Sequence, residues 1–112
     1  YGLVGSEMCI RDRGCVRHNK LTGREIQKVA LCGGAGAFLL PQAIRMGADV
    51  FITGEIKYHD YFGHEGDILM AEIGHYESEQ YTKEIFYSII RDLFPNFALQ
   101  LSKINTNPIK YL

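Results

Sequence analysis

The sequence predicts an α/β fold with a mainly parallel sheet flanked by helices, because short apolar runs alternate with helical segments. The apolar runs cover residues 28–32, 49–53 and 68–73, and each is followed directly by a glycine. Each run is short enough to be a buried strand. Strands separated by helices imply right-handed βαβ crossovers, and therefore a sheet whose strands end at a common edge.

Composition excludes several classes of protein. The 112 residues are 46% hydrophobic and 22% charged, which is typical of one globular domain and not of a disordered chain. A formal net charge of -1, with scattered lysines and arginines, gives no reason to expect a nucleic-acid partner. No apolar run is long enough for a membrane span. Three cysteines without a CxxC pair favour a reduced, cytoplasmic protein, with Cys32 as a small buried residue.

The sequence divides into three parts, which differ in how clearly they predict structure. Residues 1–13 show neither a periodic pattern nor a turn signal, and we interpret them as an artefact or a disordered segment. Residues 14–27 are expected to be a linker from a missing upstream region. Residues 28–112 carry the α/β pattern.

Three helical segments and one further strand complete the prediction. Residues 37–46 predict a helix with Pro41 in its first turns and Gly47 as its C-terminal cap. One helical turn is expected around residues 58–62. A long helix is expected from about 75 to 94, ended by Pro95, and a last strand over 97–101. The apolar stripe of the long helix contains Thr82, Ile85, Phe86, Ile89, Ile90 and Leu93.

A histidine and a glutamate lie four residues apart where this long helix begins. His75 and Glu79 share one helix face, and imidazole with carboxylate is a common ligand pair for zinc, iron, manganese or cobalt. A solvated helix turn is the alternative. The pair follows the third strand, at the edge where α/β folds place ligands, and should point away from bulk water. The helix start should favour neutral His75 and ionised Glu79. Glu77, roughly 200° from His75 around the helix, should be solvated.

Two loops at the same edge offer further candidates. The segment after the second strand contains Glu55 and His59, which we predict to be catalytic by supporting the metal ligands or transferring protons. Gly33 to Gly36 invites a phosphate-binding interpretation, but the third glycine of GxGxxG and the Lys-Ser/Thr of a P-loop are missing. A tight turn is therefore favoured there. His18, His64 and Glu65 receive no role.

Four motifs occur in order along the chain. They are VALCGGAG at 29–36, GADVFITGEIKYHD at 47–60, GHYESE at 74–79 and NTNPIKY at 105–111. With these motifs the sequence resembles the C-terminal portion of the dinuclear metal centre proteins known as GTP cyclohydrolase 1 type 2 homologs, over about residues 16–112. The resemblance implies half of a larger α/β two-metal fold, a toroidal homohexamer and two divalent ions per full-length subunit. It also implies that His75 and Glu79 are metal ligands.

The chain also departs from the family pattern. The other family ligands, a histidine pair and an aspartate, belong to an N-terminal half that this sequence lacks, and Glu55 stands where aspartate is common. The fragment alone is therefore expected to be inactive. For a full-length protein the resemblance implies hydrolysis by metal-activated water, with GTP, another nucleotide or a phosphorylated compound as substrate. The alternatives are a non-catalytic, metal-stabilised hexameric scaffold or regulatory protein, and a nucleotide-binding module built on the Gly33 loop.

Overall fold

The computed structural model describes residues 16–110, so the predictions for residues 1–13 and for Cys9 and Cys15 lie outside the described residues. The chain forms two compact units, one up to Glu79 and one from Gln80 onward.

The first unit is built on a four-stranded mixed sheet. Three of its strands, β2, β3 and β4, are parallel and confirm the predicted apolar runs. Across the sheet the strands follow the order β1-β4-β3-β2. β1 is antiparallel to β4 and lies within the predicted linker, so this short edge strand was not predicted. The strands are β1 Arg17–His18, β2 Val29–Cys32, β3 Val50–Thr53 and β4 Leu69–Glu72.

The register of the parallel strands brings their carboxyl ends together. Cys32 of β2 lies opposite Thr53 of β3, and Thr53 in turn lies opposite Glu72 of β4. The loops that follow the three strands therefore leave the sheet side by side. We call this edge, formed by residues 33–36, 54–55 and 73–75, the sheet rim.

The core of the first unit lies around β3 and β4. Phe51, Ile68 and Met70 are almost completely buried, and Cys32 packs against this core while remaining partly exposed. Burying such side chains contributes about 1.5–3 kcal/mol each, which is the main stabilisation available to a sheet of four short strands. The buried apolar cluster contains Leu40, Ala43, Ala48, Phe51, Ile56, Ile68 and Met70.

The helix predicted over 37–46 is shorter than expected. A 3-10 turn at Ala37–Leu39 leads into helix α1, Leu40–Arg45. Pro41 lies in the first turn, as predicted, where its missing N–H costs no helical hydrogen bond. Gly47 has φ +73°, and its N–H donates to the Ile44 carbonyl at 3.0 Å, so it forms the predicted cap. The turn expected at 58–62 is a 3-10 turn, Tyr58–Tyr61.

The prediction of one helix from about 75 to 94 is wrong. Two helices occupy this range, α2 His75–Glu79 and α3 Thr82–Leu93, separated at Gln80 and Tyr81. Tyr81 restarts the helical pattern, since its carbonyl accepts hydrogen bonds from the N–H groups of Glu84 and Ile85. Helical periodicity continued across the break, and so the sequence pattern did not reveal it.

The second unit consists of α3 and an irregular tail. The strand predicted at 97–101 is wrong: no described strand includes these residues, and Phe97 is 67% exposed. A strand needs a partner edge, and an apolar run does not supply one. Within this unit the Lys83 ammonium donates to the Ser102 carbonyl at 2.8 Å. Across the described residues no helix is long and apolar enough to cross a membrane.

Candidate functional site

The floor of the sheet rim is organised around one backbone carbonyl, that of Gly34. It accepts hydrogen bonds from the Gly36 N–H, the Glu55 N–H and the Thr53 hydroxyl, each at 3.1 Å. Thr53 is 1% exposed, and its Oγ1 also accepts from the Gly36 N–H at 3.0 Å. The end of β3 and the loop after β2 are thereby joined, and a buried threonine that sequence reasoning did not single out holds both.

Two glycines allow the rim loops to approach closely. Gly34 has φ +66°, a conformation that L side chains rarely adopt. A Cβ on Gly54 would come within 2.7 Å of the Gly34 carbonyl oxygen and 3.0 Å of the Gly74 carbonyl oxygen. A side chain at either position would therefore separate the loops that carry the candidate residues.

Ser78 attaches helix α2 to this floor. The Gly34 N–H donates to the Ser78 hydroxyl oxygen at 2.9 Å, and the Ser78 hydroxyl donates to the His75 carbonyl at 2.8 Å. The sequence analysis assigned Ser78 no role. Its place between His75 and Glu79 in the GHYESE motif is the signal that could have identified it.

The structure brings Glu55, His75 and Glu79 together. His75 Nδ1 lies 3.1 Å from Glu55 Oε2, and His75 Nε2 lies 3.2 Å from Glu79 Oε2. The imidazole therefore stands between two carboxylates, Glu55 from the loop after β3 and Glu79 from the end of helix α2. All three side chains are about half exposed, at 49%, 50% and 51% for His75, Glu55 and Glu79. The expectation that His75 and Glu79 point away from bulk water is wrong.

The two carboxylates raise the pKa of His75. The hydrogen bond to Glu55 has the largest effect, desolvation opposes it, and Glu79 adds to it. The expectation that the helix start favours the neutral imidazole is therefore wrong. Helix α2 has only five residues, so its dipole is weak beside two carboxylates in contact with the ring.

Glu77 is the buried member of helix α2. It is 6% exposed, whereas the sequence analysis predicted a solvated side chain. The helix therefore turns its Glu77 face into the protein and leaves His75 and Glu79 at the surface of the rim. The prediction assumed that the apolar stripe of α3 continued through α2, and the break at Gln80 and Tyr81 removes that assumption.

His59 is not joined to the other candidates. It lies in the 3-10 turn after Glu55, and its described ring contact is an edge-to-face packing on Tyr58, with centroids 5.3 Å apart. The hydrogen bonds and ion pairs of the described residues include none from His59 to Glu55, His75 or Glu79.

The His75–Glu79 pair fits two corners of a metal site. Consider two ligand atoms that each lie about 2.0–2.1 Å from one ion, with an angle of about 90–109° between them at the ion. These two ligand atoms are then about 2.9–3.4 Å apart. The observed separation of Nε2 and Oε2 is 3.2 Å. Glu55 faces the opposite ring nitrogen, so it cannot bind the same ion as Nε2. Accordingly, no group of three His, Cys, Asp or Glu side chains within residues 16–110 is arranged to hold an ion.

Glu55, which contacts His75, forms part of the wall of a recess of about 320 Å³. Lys57, Asp60 and Phe38 line it as well, so it offers both charges and an aromatic ring close to the candidate metal ligands. The neighbouring glycine loop is less suited to phosphate, because the N–H groups of Gly34 and Gly36 are already bonded to Ser78 and Thr53. The structure thus supports the tight-turn interpretation of that loop.

Fold and rim together define one part of an α/β protein with a histidine–glutamate pair at the carboxyl edge of its sheet. The sequence model of the Duf34/NIF3 family (NGG1p interacting factor 3) matches residues 4–108. This chain belongs to that family, which confirms the resemblance found in the sequence.

Relatives with known names or structures agree with this family assignment. The chain is 34% identical, over its whole length, to a Staphylococcus aureus protein named GTP cyclohydrolase 1 type 2 homolog, and 38% identical over 86% of its length to a Staphylococcus epidermidis protein of that name. A crystal structure of a Staphylococcus aureus protein aligns over 97% of the chain with a TM-score of 0.74 and 29% identity. A Bacillus cereus protein related to NIF3 aligns over 90%, with a TM-score of 0.67 and 26% identity.

The chain is much shorter than these relatives. It spans 36% and 27% of the two named proteins, and 32% and 29% of the two solved chains. The matched fold is therefore about a third of the structure that the relatives form.

Proposed function

We propose that this chain supplies two ligands, His75 and Glu79, of a divalent metal centre. The observation that carries the proposal is the 3.2 Å separation of His75 Nε2 and Glu79 Oε2 at the carboxyl edge of the sheet. Both side chains are half exposed, so an ion and further ligands can reach them. Two ligands bind an ion weakly, and the remaining corners would come from other parts of a full-length protein.

Glu55 has a defined role in this proposal. If His75 held the ion through Nε2, its Nδ1–H would donate to Glu55 Oε2, and Glu55 would then fix the ring orientation and increase the basicity of Nε2. Glu55 also borders the 320 Å³ recess, where it can exchange a proton with a bound substrate. His59 remains a prediction for proton transfer, based on its place in the same loop.

For the full-length protein we propose metal-dependent hydrolysis. The sequence resemblance implies two divalent ions per subunit, from zinc, iron, manganese or cobalt, and a cytoplasmic homohexamer. Such ions, when bound, supply the Lewis acid that activates water. The name shared by the staphylococcal relatives points to GTP, another nucleotide or a phosphorylated compound as the substrate to test first.

A non-catalytic role is the second candidate. A ring of subunits stabilised by structural ions would use the same ligand pair to hold its shape or to bind partners. The exposed apolar side chains of α3, including Phe86 at 58% exposure, favour such assembly. Hydrolysis of a substrate in the presence of metal separates the enzyme from the scaffold.

Metal binding by the chain itself is the first prediction to test. We expect titration with Zn²⁺, followed by calorimetry, to show weak binding, with Kd above about a micromolar because two ligands give little chelation. His75→Ala should abolish it, and His64→Ala, which removes a histidine outside the rim, should not. Because protonation of His75 competes with the metal, affinity should fall as the pH is lowered. Equal binding by wild type and His75→Ala would contradict the proposal.

Turnover by a full-length protein containing this sequence tests the enzymatic claim. With metal present, we expect hydrolysis of at least one nucleotide or phosphorylated compound, and loss of that activity in His75→Ala. If no such substrate is hydrolysed while metal still binds at His75 and Glu79, the scaffold candidate replaces the enzyme.

A further inference from the structure

A second recess lies on the other side of the 3-10 turn from the candidate metal ligands. The turn Tyr58–Tyr61 separates the two: Lys57 and Asp60 line the recess beside Glu55, whereas Tyr58 and Tyr61 line the second one. The second recess has a volume of about 370 Å³, is open to solvent, and is also lined by β1 and the two residues after it. This volume is within the range of small-molecule sites.

One wall of this second recess is aromatic. Tyr58, Tyr61 and Phe62 line it, with Tyr58 71% and Phe62 55% exposed. The rings of Tyr58 and Phe62 pack edge to face, with centroids 5.1 Å apart and planes at 75°. The two rings contact each other and still present exposed surface, so a planar ligand can pack against them.

The opposite wall is basic, and its charges are not equivalent. The Arg17 guanidinium is held by the Glu72 carboxylate and donates to the Ile56 carbonyl at 3.0 Å, so its charge is largely compensated. His18 Nδ1 contacts the Asn19 carbonyl at 2.6 Å, which leaves Nε2 for another partner. Lys20 takes part in no described ion pair within residues 16–110. Lys20 therefore supplies the available positive charge, and Glu65 is the one carboxylate of the lining.

We propose that this recess binds a small aromatic monoanion. The planar ring of the ligand packs against Tyr58 and Phe62, and its acidic group meets the Lys20 ammonium. The Lys20 ammonium, which takes part in no described ion pair, disfavours a cationic ligand, which the aromatic rings alone would accept. The site is separate from His75 and Glu79 and does not depend on the proposed hydrolase function.

NMR titration of the isotopically labelled chain with benzoate tests the class of ligand. We expect saturable shifts at Lys20, Tyr58 and Phe62, with a Kd of about a millimolar or below. Cyclohexanecarboxylate, which lacks the aromatic ring, and benzyl alcohol, which lacks the charge, should each bind about tenfold more weakly. Benzyltrimethylammonium binding as tightly as benzoate, or no saturation with benzoate, would overturn the proposal.

Variants test the position of the ligand. Lys20→Ala should weaken benzoate binding about tenfold through loss of a charged hydrogen bond, and Lys103→Ala, which removes the same charge from the second unit, should leave it unchanged. Tyr58→Leu, which removes one ring of the aromatic wall, should weaken benzoate binding as well, and Phe62→Leu replaces it if Tyr58→Leu does not fold. Binding lost in Lys57→Ala but kept in Lys20→Ala would place benzoate in the recess beside Glu55, and the inference would be wrong.

Discussion

At the scale of single residues, the rim depends on positions where no side chain can be added. Gly33 and Gly54 both lie in rim loops, but they differ in the space around them. A Cβ on Gly33 would meet ordinary contacts, with Ser78 O at 3.6 Å, whereas one on Gly54 would press on two backbone carbonyls. Backbone atoms cannot move aside as the end of a side chain can.

We therefore predict that Gly54→Ala destabilises the fold by about 1–3 kcal/mol, the usual cost of overpacking a tight contact. Gly33→Ala should change stability by less than about 0.5 kcal/mol, the usual range for changes without such a contact. Urea denaturation of both variants measures the difference. Equal stabilities would show that the loops can separate without cost.

Asp49 is a second residue with a local and testable role. Its carboxylate accepts hydrogen bonds from the N–H groups of Gln27 and Lys28, both at 2.9 Å, and so joins the start of β3 to the start of β2. These backbone hydrogen bonds lower the pKa of Asp49 below its ordinary value, the bond to Gln27 first. A carboxylate with a lowered pKa in the folded state stabilises that state at any pH above its unfolded pKa.

We expect this stabilisation to disappear as the pH falls through the folded pKa of Asp49, below about pH 4. Asp49→Asn should be less stable than wild type at pH 7, and the difference should shrink in acid. Thermal unfolding at a series of pH values measures it, with Asp67→Asn as a control that removes a carboxylate from a loop. A difference that stays constant from pH 7 to pH 3 would contradict the assignment.

At the scale of elements, apolar patterns predicted the strands well and the helices less well. The runs ending at Cys32, Thr53 and residue 73 became β2, β3 and β4, because a short apolar run that a glycine ends has few alternatives once buried. Periodicity could not locate the break at Gln80 and Tyr81. The tertiary bond between Ser78 and the Gly34 N–H, which holds α2 on the rim, has no counterpart in a helical pattern.

The candidate site was predictable to a similar extent. The spacing of His75 and Glu79 identified the pair, and the strand ends identified Glu55 as their neighbour. The exposure of the pair, the burial of Glu77 and the separate contact of His59 with Tyr58 were not predictable, because each depends on how α2 and the 3-10 turn pack.

Helix α2 gives a prediction of its own. Ser78→Ala removes both the acceptor of the Gly34 N–H and the donor to the His75 carbonyl, so we expect a loss of about 1–2 kcal/mol of stability and weaker Zn²⁺ binding. Ser88→Ala, an exposed serine of α3, provides the matched control. Denaturation and calorimetry on both variants measure the effect. Unchanged Zn²⁺ affinity in Ser78→Ala would show that the ligand pair does not need this attachment.

At the scale of the whole molecule, the second unit exposes more apolar surface than a solitary unit usually does. Ile85 is 60% exposed and Leu93 67%, and Phe94 and Phe97 follow them at 59% and 67%. Exposed apolar surface of this kind is typical of an interface. The proposed homohexamer is one arrangement that would cover it.

We predict that the chain self-associates as its concentration rises, and that Ile89→Asp weakens this association because it places a charge among the apolar side chains of α3. Ser88→Asp adds the same charge at the adjacent position and should have less effect. Sedimentation velocity over a range of concentrations measures both. A chain that stays monomeric at the highest concentration would contradict the prediction.

The Gly34 carbonyl has a further consequence for the binding of a metal ion. Its three hydrogen bonds, to Thr53, Gly36 and Glu55, are all made within the chain and need no ligand to form. The loop under His75 and Glu79 is therefore preorganised, and an incoming ion would lose little of its binding free energy to the ordering of that loop. The entropy change on ion binding should then come mainly from two sources. Water that is released raises the entropy, and the restricted motion of the His75 and Glu79 side chains lowers it.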